Sequence, residues 1–201
     1  LLARARELGG ELLELPDAAP GRADLPQPQA HSRRDFALAR AMLADLGAHG
    51  HDACVVAAKA LDTLPAGALR LPGRWELGTT EDGRPVVFDV AHTPASIAAV
   101  LGAFRRAWPQ ARRGIVMGLR ADKDLAAVRA AIGPPQAGEA WFACHAGDHP
   151  LSADPLAVAA AFGAQPLARP ELPPGPEVLL VTGSSYLVGL LRARRAAPAL
   201  Q

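Results

Sequence analysis

Pro85-Val86-Val87-Phe88-Asp89-Val90-Ala91-His92-Thr93-Pro94 is the stretch that decides the fold. Pro85 to Val90 has continuous apolar character, as expected of a strand buried on both faces. Polar residues follow, and Pro94 then suits the first turn of a helix running to about Trp108. A buried strand that ends in a polar turn and feeds a helix is the unit of a parallel α/β sheet.

The same alternation continues toward the C-terminus. Gly114 to Leu119 reads as a buried strand and Lys123 to Ile132 as a helix. Glu139 to Cys144 is expected to be a strand and Asp154 to Phe162 a helix. Glu177 to Thr182 is the most apolar strand, followed by a last helix over Ser185 to Arg195. On the N-terminal side, Arg74 to Thr80 reads as a strand joined to Pro85–Val90 through Glu81-Asp82-Gly83. Asp-Gly between two apolar runs is a hairpin signal. The fold expected is therefore α/β: a Rossmann-like, mostly parallel sheet with an antiparallel edge hairpin, covered by helices. Arg169 to Pro176 is proline-rich and reads as a surface loop.

Upstream of Leu71-Pro72-Gly73-Arg74 the composition changes. Leu1 to Leu8 looks like a helix end closed by Gly9-Gly10, Glu11 to Leu15 a short strand, and Pro16 to Gln29, with four prolines, a loop. Helices are expected over Arg34–Gly47 and Asp52–Leu64. The division read is residues 1–70, a small helical unit with a short strand, and 71–201, the α/β domain. The opening Leu1-Leu2-Ala3-Arg4 has neither an initiator Met nor a signal-peptide layout, and reads as the interior of a longer chain.

Composition excludes several classes. The formal net charge of +1 in 201 residues leaves no electrostatic footprint for nucleic acid. No apolar run approaches the about 18 residues of a membrane span. Two cysteines do not make a disulfide framework and fit a reducing, cytoplasmic setting. There is no G-x-x-x-x-G-K-[ST], no G-x-G-x-x-G after a strand and no G-x-S-x-G. The spacing of Cys144, His145 and His149 fits no usual zinc set.

In parallel sheets, ligands gather at the carboxyl ends of strands. Three such ends carry polar residues: Asp89 to Pro94, Arg120-Ala121-Asp122-Lys123-Asp124, and Thr182-Gly183-Ser184-Ser185-Tyr186. Asp89 and His92 offer a carboxylate and an imidazole beside a helix start, where backbone N–H groups also face an anion. They read equally as a cap and a surface histidine. Ser184 and Tyr186 bring hydroxyls on a turn of small residues, and Ser184 reads as well as a helix cap. Lys123 could meet a phosphate or carboxylate, or belong to a solvated charge run.

Four segments in order carry a family resemblance: Leu71-Pro72-Gly73-Arg74-Trp75-Glu76, Phe88-Asp89-Val90-Ala91-His92-Thr93-Pro94, Gly118-Leu119-Arg120-Ala121-Asp122-Lys123-Asp124 and Val181-Thr182-Gly183-Ser184-Ser185-Tyr186-Leu187-Val188-Gly189. Together they resemble the C-terminal domain of folylpolyglutamate synthase and dihydrofolate synthase, within the Mur ligase superfamily. The resemblance covers residues 71–195 well and 1–70 thinly, the latter as the tail of the central ATP-binding domain.

The resemblance implies an ATP-dependent ligase that adds L-glutamate to a folate or dihydropteroate carboxylate through an acyl phosphate. ATP and Mg²⁺ would be bound mainly by an N-terminal P-loop domain, which this chain lacks, so the chain alone is expected to be inactive. By carry-over, Asp35, Arg74 and Asp89 would contact ATP, and Asp89, His92, Ser184 and Tyr186 would surround the glutamate. No catalytic or metal-ligating residue is implied here. The sequence also departs from the family. His-Gln-x-x-Asn is replaced by His31-Ser32-Arg33-Arg34-Asp35, and an ionised Asp cannot donate the hydrogen bond an Asn can. Asn-Pro becomes Thr93-Pro94. Pro-Arg after the fourth strand becomes Gly147-Asp148-His149-Pro150. The alternative these changes suggest is a Mur-ligase-like binding domain that has lost the reaction.

Overall fold

The computed structural model describes residues 30–65, 68, 70–145 and 150–193, with side chains from residue 35 onward. The expectations for Leu1–Leu8, Glu11–Leu15 and Pro16–Gln29, and those for Gly147-Asp148-His149, lie outside the described residues. The chain divides into two compact units, Leu1–Leu69 and Arg70–Gln201.

In the first unit, helix α1 spans Ala30–Ala48 and α2 spans Asp52–Thr63. The first helix begins four residues before the Arg34 expected, because its apolar stripe starts only at Phe36 and gives no signal for the turn before it. Arg40 forks onto Asp62, Nε to Oδ1 at 2.7 Å and the second guanidinium nitrogen to Oδ2 at 2.8 Å. That pair is exposed and ties α1 to α2 weakly.

The second unit is a six-stranded sheet in the order β1-β2-β6-β3-β4-β5. Its strands are β1 Glu76–Thr79, β2 Pro85–Phe88, β3 Arg113–Met117, β4 Glu139–Ala143, β5 Gln165–Pro166 and β6 Val178–Thr182. Only β1–β2 is antiparallel; β2–β6, β6–β3, β3–β4 and β4–β5 are parallel. The helices are α3 Pro94–Ala107, α4 Leu125–Ile132, α5 Pro155–Phe162 and α6 Ser185–Arg192. The α/β sheet with an antiparallel edge hairpin is thus present as the alternation predicts.

Side chains alternate across the sheet with the strand period of two. Val87, Ile115, Met117, Leu180 and Trp141 enter one core with Ile97, Leu101 and Phe104 of α3, Val128 of α4 and Phe162 of α5. Val86, Phe88, Val116, Leu179 and Val181 enter a second core with Leu187, Val188 and Leu191 of α6. Burial on both faces explains why β3 and β6 read as unbroken apolar runs. Phe104 is fully buried, and its replacement by Ala would cost about 3–5 kcal/mol.

Local differences from the sequence reading have local causes. The helix expected from Lys123 starts at Leu125, because Asp124 caps it by accepting the Ala127 amide at 3.0 Å. The two-residue β5 carries no periodic signal and was not expected. Arg169–Pro176 is only partly a surface loop: Pro173 and Pro176 are buried. Arg84 holds it by donating one guanidinium nitrogen to Pro173 O at 2.9 Å and Pro176 O at 3.0 Å.

At the amino edge of the sheet, Glu139 is a buried latch. Arg105 forks onto it at 2.7 and 2.9 Å. Trp141 Nε1 and the Gln136 amide donate to the same carboxylate at 3.1 and 2.9 Å. Burial pushes this carboxyl up, but Arg105, the Gln136 backbone and the Trp141 indole more than reverse that and hold it below the usual range.

Candidate functional site

The carboxyl ends of β2, β6 and β3 are neighbours, with Phe88 beside Val181 and Thr182 beside Met117. The ladder continues into the loops. Asp89 N donates to Val181 O at 3.0 Å, Gly183 N to Ala91 O at 2.9 Å and Gly118 N to Thr182 O at 3.2 Å. All three polar segments are therefore sewn to one rim. Gly183 is required there. Its φ is +94°, and a Cβ would stand 2.4 Å from Gly118 O.

β1 is antiparallel, so its first residue, Glu76, pairs with Phe88 and lies at that same rim. The turn just before it presents Arg74. Pro72 and Gly73 (φ +66°) occupy its centre, and Arg74 N closes it on Leu71 O at 3.0 Å. Pro followed by a glycine at positive φ is type II turn chemistry. Trp75 then takes φ +50°, a left-handed conformation that L side chains seldom adopt. Its indole stacks on Trp108 at a centroid distance of 6.3 Å. The Arg74 side chain is exposed, and its guanidinium has no ion-pair partner among the described residues.

Asp89 is buried. Its Oδ2 accepts the Trp75 amide at 2.9 Å and its Oδ1 the Ala91 amide at 2.9 Å. Both oxygens thus hold backbone on either side of the rim. His92 is exposed. Its Nδ1 lies 3.0 Å from Val90 O, a contact in which Nδ1–H donates because a carbonyl oxygen only accepts. Thr93 caps α3 in a reciprocal box with Ser96: Thr93 Oγ1 accepts the Ser96 amide at 3.2 Å, and Ser96 Oγ the Thr93 amide at 3.0 Å. Thr at this position therefore does an N-cap's work.

On β6's side, Ser184 is buried and its Oγ accepts the Tyr186 amide at 3.2 Å, capping α6. Tyr186 is exposed. Along β3's extension, Arg120 forks onto Asp122 at 3.0 and 3.1 Å, and that guanidinium holds the Asp122 carboxyl below its usual range. Asp124 is spent as a cap, whereas Lys123 is half-buried. Asp35 is exposed on α1, in the other compact unit. Among the described residues no three His, Cys, Asp or Glu side chains assemble as a metal-binding group. No described helix is long and apolar enough to cross a membrane.

Sequence reasoning thus placed Arg74, Asp89, His92, Ser184 and Tyr186 on elements that meet at one rim. It gave no role to Glu76 or Arg192. Arg192 Nε lies 2.8 and 2.6 Å from the two Glu76 oxygens across 116 positions of chain, a separation at which no local pattern operates.

The sequence model described as Mur ligase, glutamate ligase domain, matches residues 73–183, more than half of the chain. The chain belongs to the Mur ligase family. No curated protein sequence matches it. Among solved structures, it is similar to a bifunctional folylpolyglutamate synthase/dihydrofolate synthase with Mn, AMPPNP and L-glutamate bound. That match has a TM-score of 0.61 and 18% identity, and covers 96% of this chain and 50% of that one. The folylpolyglutamate synthase of Mycobacterium tuberculosis complexed with ADP and AMPPCP gives a TM-score of 0.52 and 21% identity, over 70% of this chain and 38% of that one. The Thermotoga maritima folylpolyglutamate synthase gives 0.52 and 18%, over 69% and 36%. At these identities the likeness is one of fold. This Mur ligase chain spans half or less of the length of each of the three.

Proposed function

We propose that this Mur ligase chain is the C-terminal part of an ATP-dependent ligase that joins L-glutamate to a folate or dihydropteroate carboxylate. ATP phosphorylates the carboxylate, the glutamate amine attacks the acyl phosphate, and phosphate leaves. A P-loop lobe outside this chain would hold the triphosphate and Mg²⁺. Residues 1–70 are the tail of that central domain and 71–201 the closing lobe.

The observation that carries the reading is the rim itself. Three strand ends sewn together by Gly183 N to Ala91 O and Gly118 N to Thr182 O carry His92 and the Ser184–Tyr186 helix start, and the turn before β1 at that rim presents Arg74, whose guanidinium has no ion-pair partner among the described residues. The chemistry of an acyl phosphate is positioning and charge neutralisation. Arg74 supplies positive charge toward a nucleotide phosphate. His92 and Tyr186 supply hydrogen-bonding groups for the amino acid, on a frame that Asp89 and Ser184 hold. One structure of similar fold contains AMPPNP, Mn and L-glutamate together.

One lobe of a two-lobe site has no complete triphosphate cradle, and the 201-residue chain is expected to release no ADP in response to glutamate and a folate. Sustained glutamate- and folate-dependent ADP release by the purified chain would refute the partial-enzyme reading.

A further inference from the structure

We propose that Glu76, anchored by Arg192, is a positioning residue that sets the backbone of Arg74 and couples it to the helix carrying Tyr186. The functional half of this inference rests on the ligase reading above; the geometric half does not.

Arg74 lies between two backbone amides captured by carboxylates from different elements. On one side, Gly73 N donates to Glu76 Oε2 at 2.8 Å. On the other, Trp75 N donates to Asp89 Oδ2 at 2.9 Å. A third bond, Val90 N to Gly73 O at 2.8 Å, fastens the turn to the loop that leads to His92. Hydrogen bonds to an ionised acceptor are stronger than neutral ones. Together they over-determine a segment whose Trp75 sits at φ +50°, a conformation that persists only under such constraint.

Glu76 would be a poor clamp by itself, because a glutamate has several rotamers. Arg192 removes that freedom. Its Nε lies 2.6 Å from the oxygen that also receives the Gly73 amide, and the Glu76 side chain is only 16% exposed. Arg192 stands in the last turn of α6, whose cap is Ser184 and whose first turn carries Tyr186. Leu187, Val188 and Leu191 bury the helix between those ends. Gly73 packs on that helix closely enough that an added Cβ would meet Val188 Cγ1 at 3.4 Å. The guanidinium offered to the nucleotide and the hydroxyl offered to the amino acid thus share one rigid support.

The test has two arms. In the 201-residue chain, amide exchange is followed by NMR. Glu76→Ala and Arg192→Gln are expected to speed exchange at Gly73 at least tenfold while the β6 amides of Leu179 and Leu180 keep wild-type rates. Glu76→Gln, which retains a neutral acceptor, should restore part of the protection. Unchanged Gly73 exchange in both Glu76→Ala and Arg192→Gln overturns the inference, and needs no ligase activity to be read. In the full-length protein, Glu76→Ala should raise KM for ATP about tenfold with a smaller change in kcat. Added to Arg74→Ala, it should contribute almost nothing more. An equal further loss in the Arg74→Ala background would show that Glu76 does not act through Arg74. Absence of ligation by the wild-type full-length protein would strike the proposed function and leave the exchange result standing.

Discussion

The Asp89 carboxylate reaches back fourteen residues to accept the Trp75 amide at 2.9 Å, joining the end of β2 to the turn before β1. Its other oxygen takes the Ala91 amide. Replacing Asp89 by Ala leaves two amides unsatisfied at a buried site, a loss of about 2–4 kcal/mol. Chemical denaturation is expected to show that drop, with Asp89→Asn losing less because its carbonyl oxygen still accepts one bond. Equal stability of wild type and Asp89→Ala would mean the clamp holds nothing.

Gly183 tests whether the rim depends on close backbone approach. A methyl group there would lie 2.4 Å from Gly118 O, at a φ that disfavours any side chain. Gly183→Ala is expected to lower the melting temperature by several degrees, an effect of roughly 1–3 kcal/mol. Gly175→Ala provides the contrast. It also has positive φ, but nothing lies near its Cβ, so its cost should be conformational strain alone and smaller. Comparable melting temperatures for the two variants would remove the steric argument.

Glu139 gives the fold a pH dependence whose sign follows from its lowered carboxyl. The folded state holds the proton less tightly than the unfolded chain does. The stabilisation is therefore full above the unfolded value, near the ordinary 4.5, and is lost as pH falls through the lower folded value. Arg113 Nε also lies 3.5 Å from Glu139 Oε1, so Glu139→Gln leaves the half-buried Arg105 and the buried Arg113 without their counter-charge and should cost about 3 kcal/mol at pH 7. Denaturation at pH 7 and pH 3 should show the gap between variant and wild type narrowing in acid. A gap that widens in acid would reverse the assigned sign.

How far the fold could be read from sequence varied with the kind of signal. β3 and β6 were legible because burial on both faces writes an unbroken apolar run. α3 was legible because Pro94 marks its first turn. β5, two residues long with a proline, carries no pattern at all. The loop over 169–176 was legible as a surface loop, but the anchoring of its Pro173 and Pro176 carbonyls was not, because Arg84, which pins them, is 89 and 92 positions away. At the rim, His92 and Tyr186 could be placed from strand-end logic, and Arg74 only from the family resemblance. The burial of Asp89 and the Glu76–Arg192 support could not, since both are fixed by tertiary pairing.

Arg74 is the most exposed test of function that leaves the fold alone. Its side chain makes no hydrogen bond or ion pair among the described residues, so Arg74→Ala should melt like wild type. The decisive measurement is kcat/KM for ATP in glutamate addition to a folate or dihydropteroate by the full-length protein, wild type against Arg74→Ala. Wild type is expected to ligate, and the variant to fall at least tenfold. Ligation that is absent from wild type, or equal in the two, would contradict a nucleotide-facing rim.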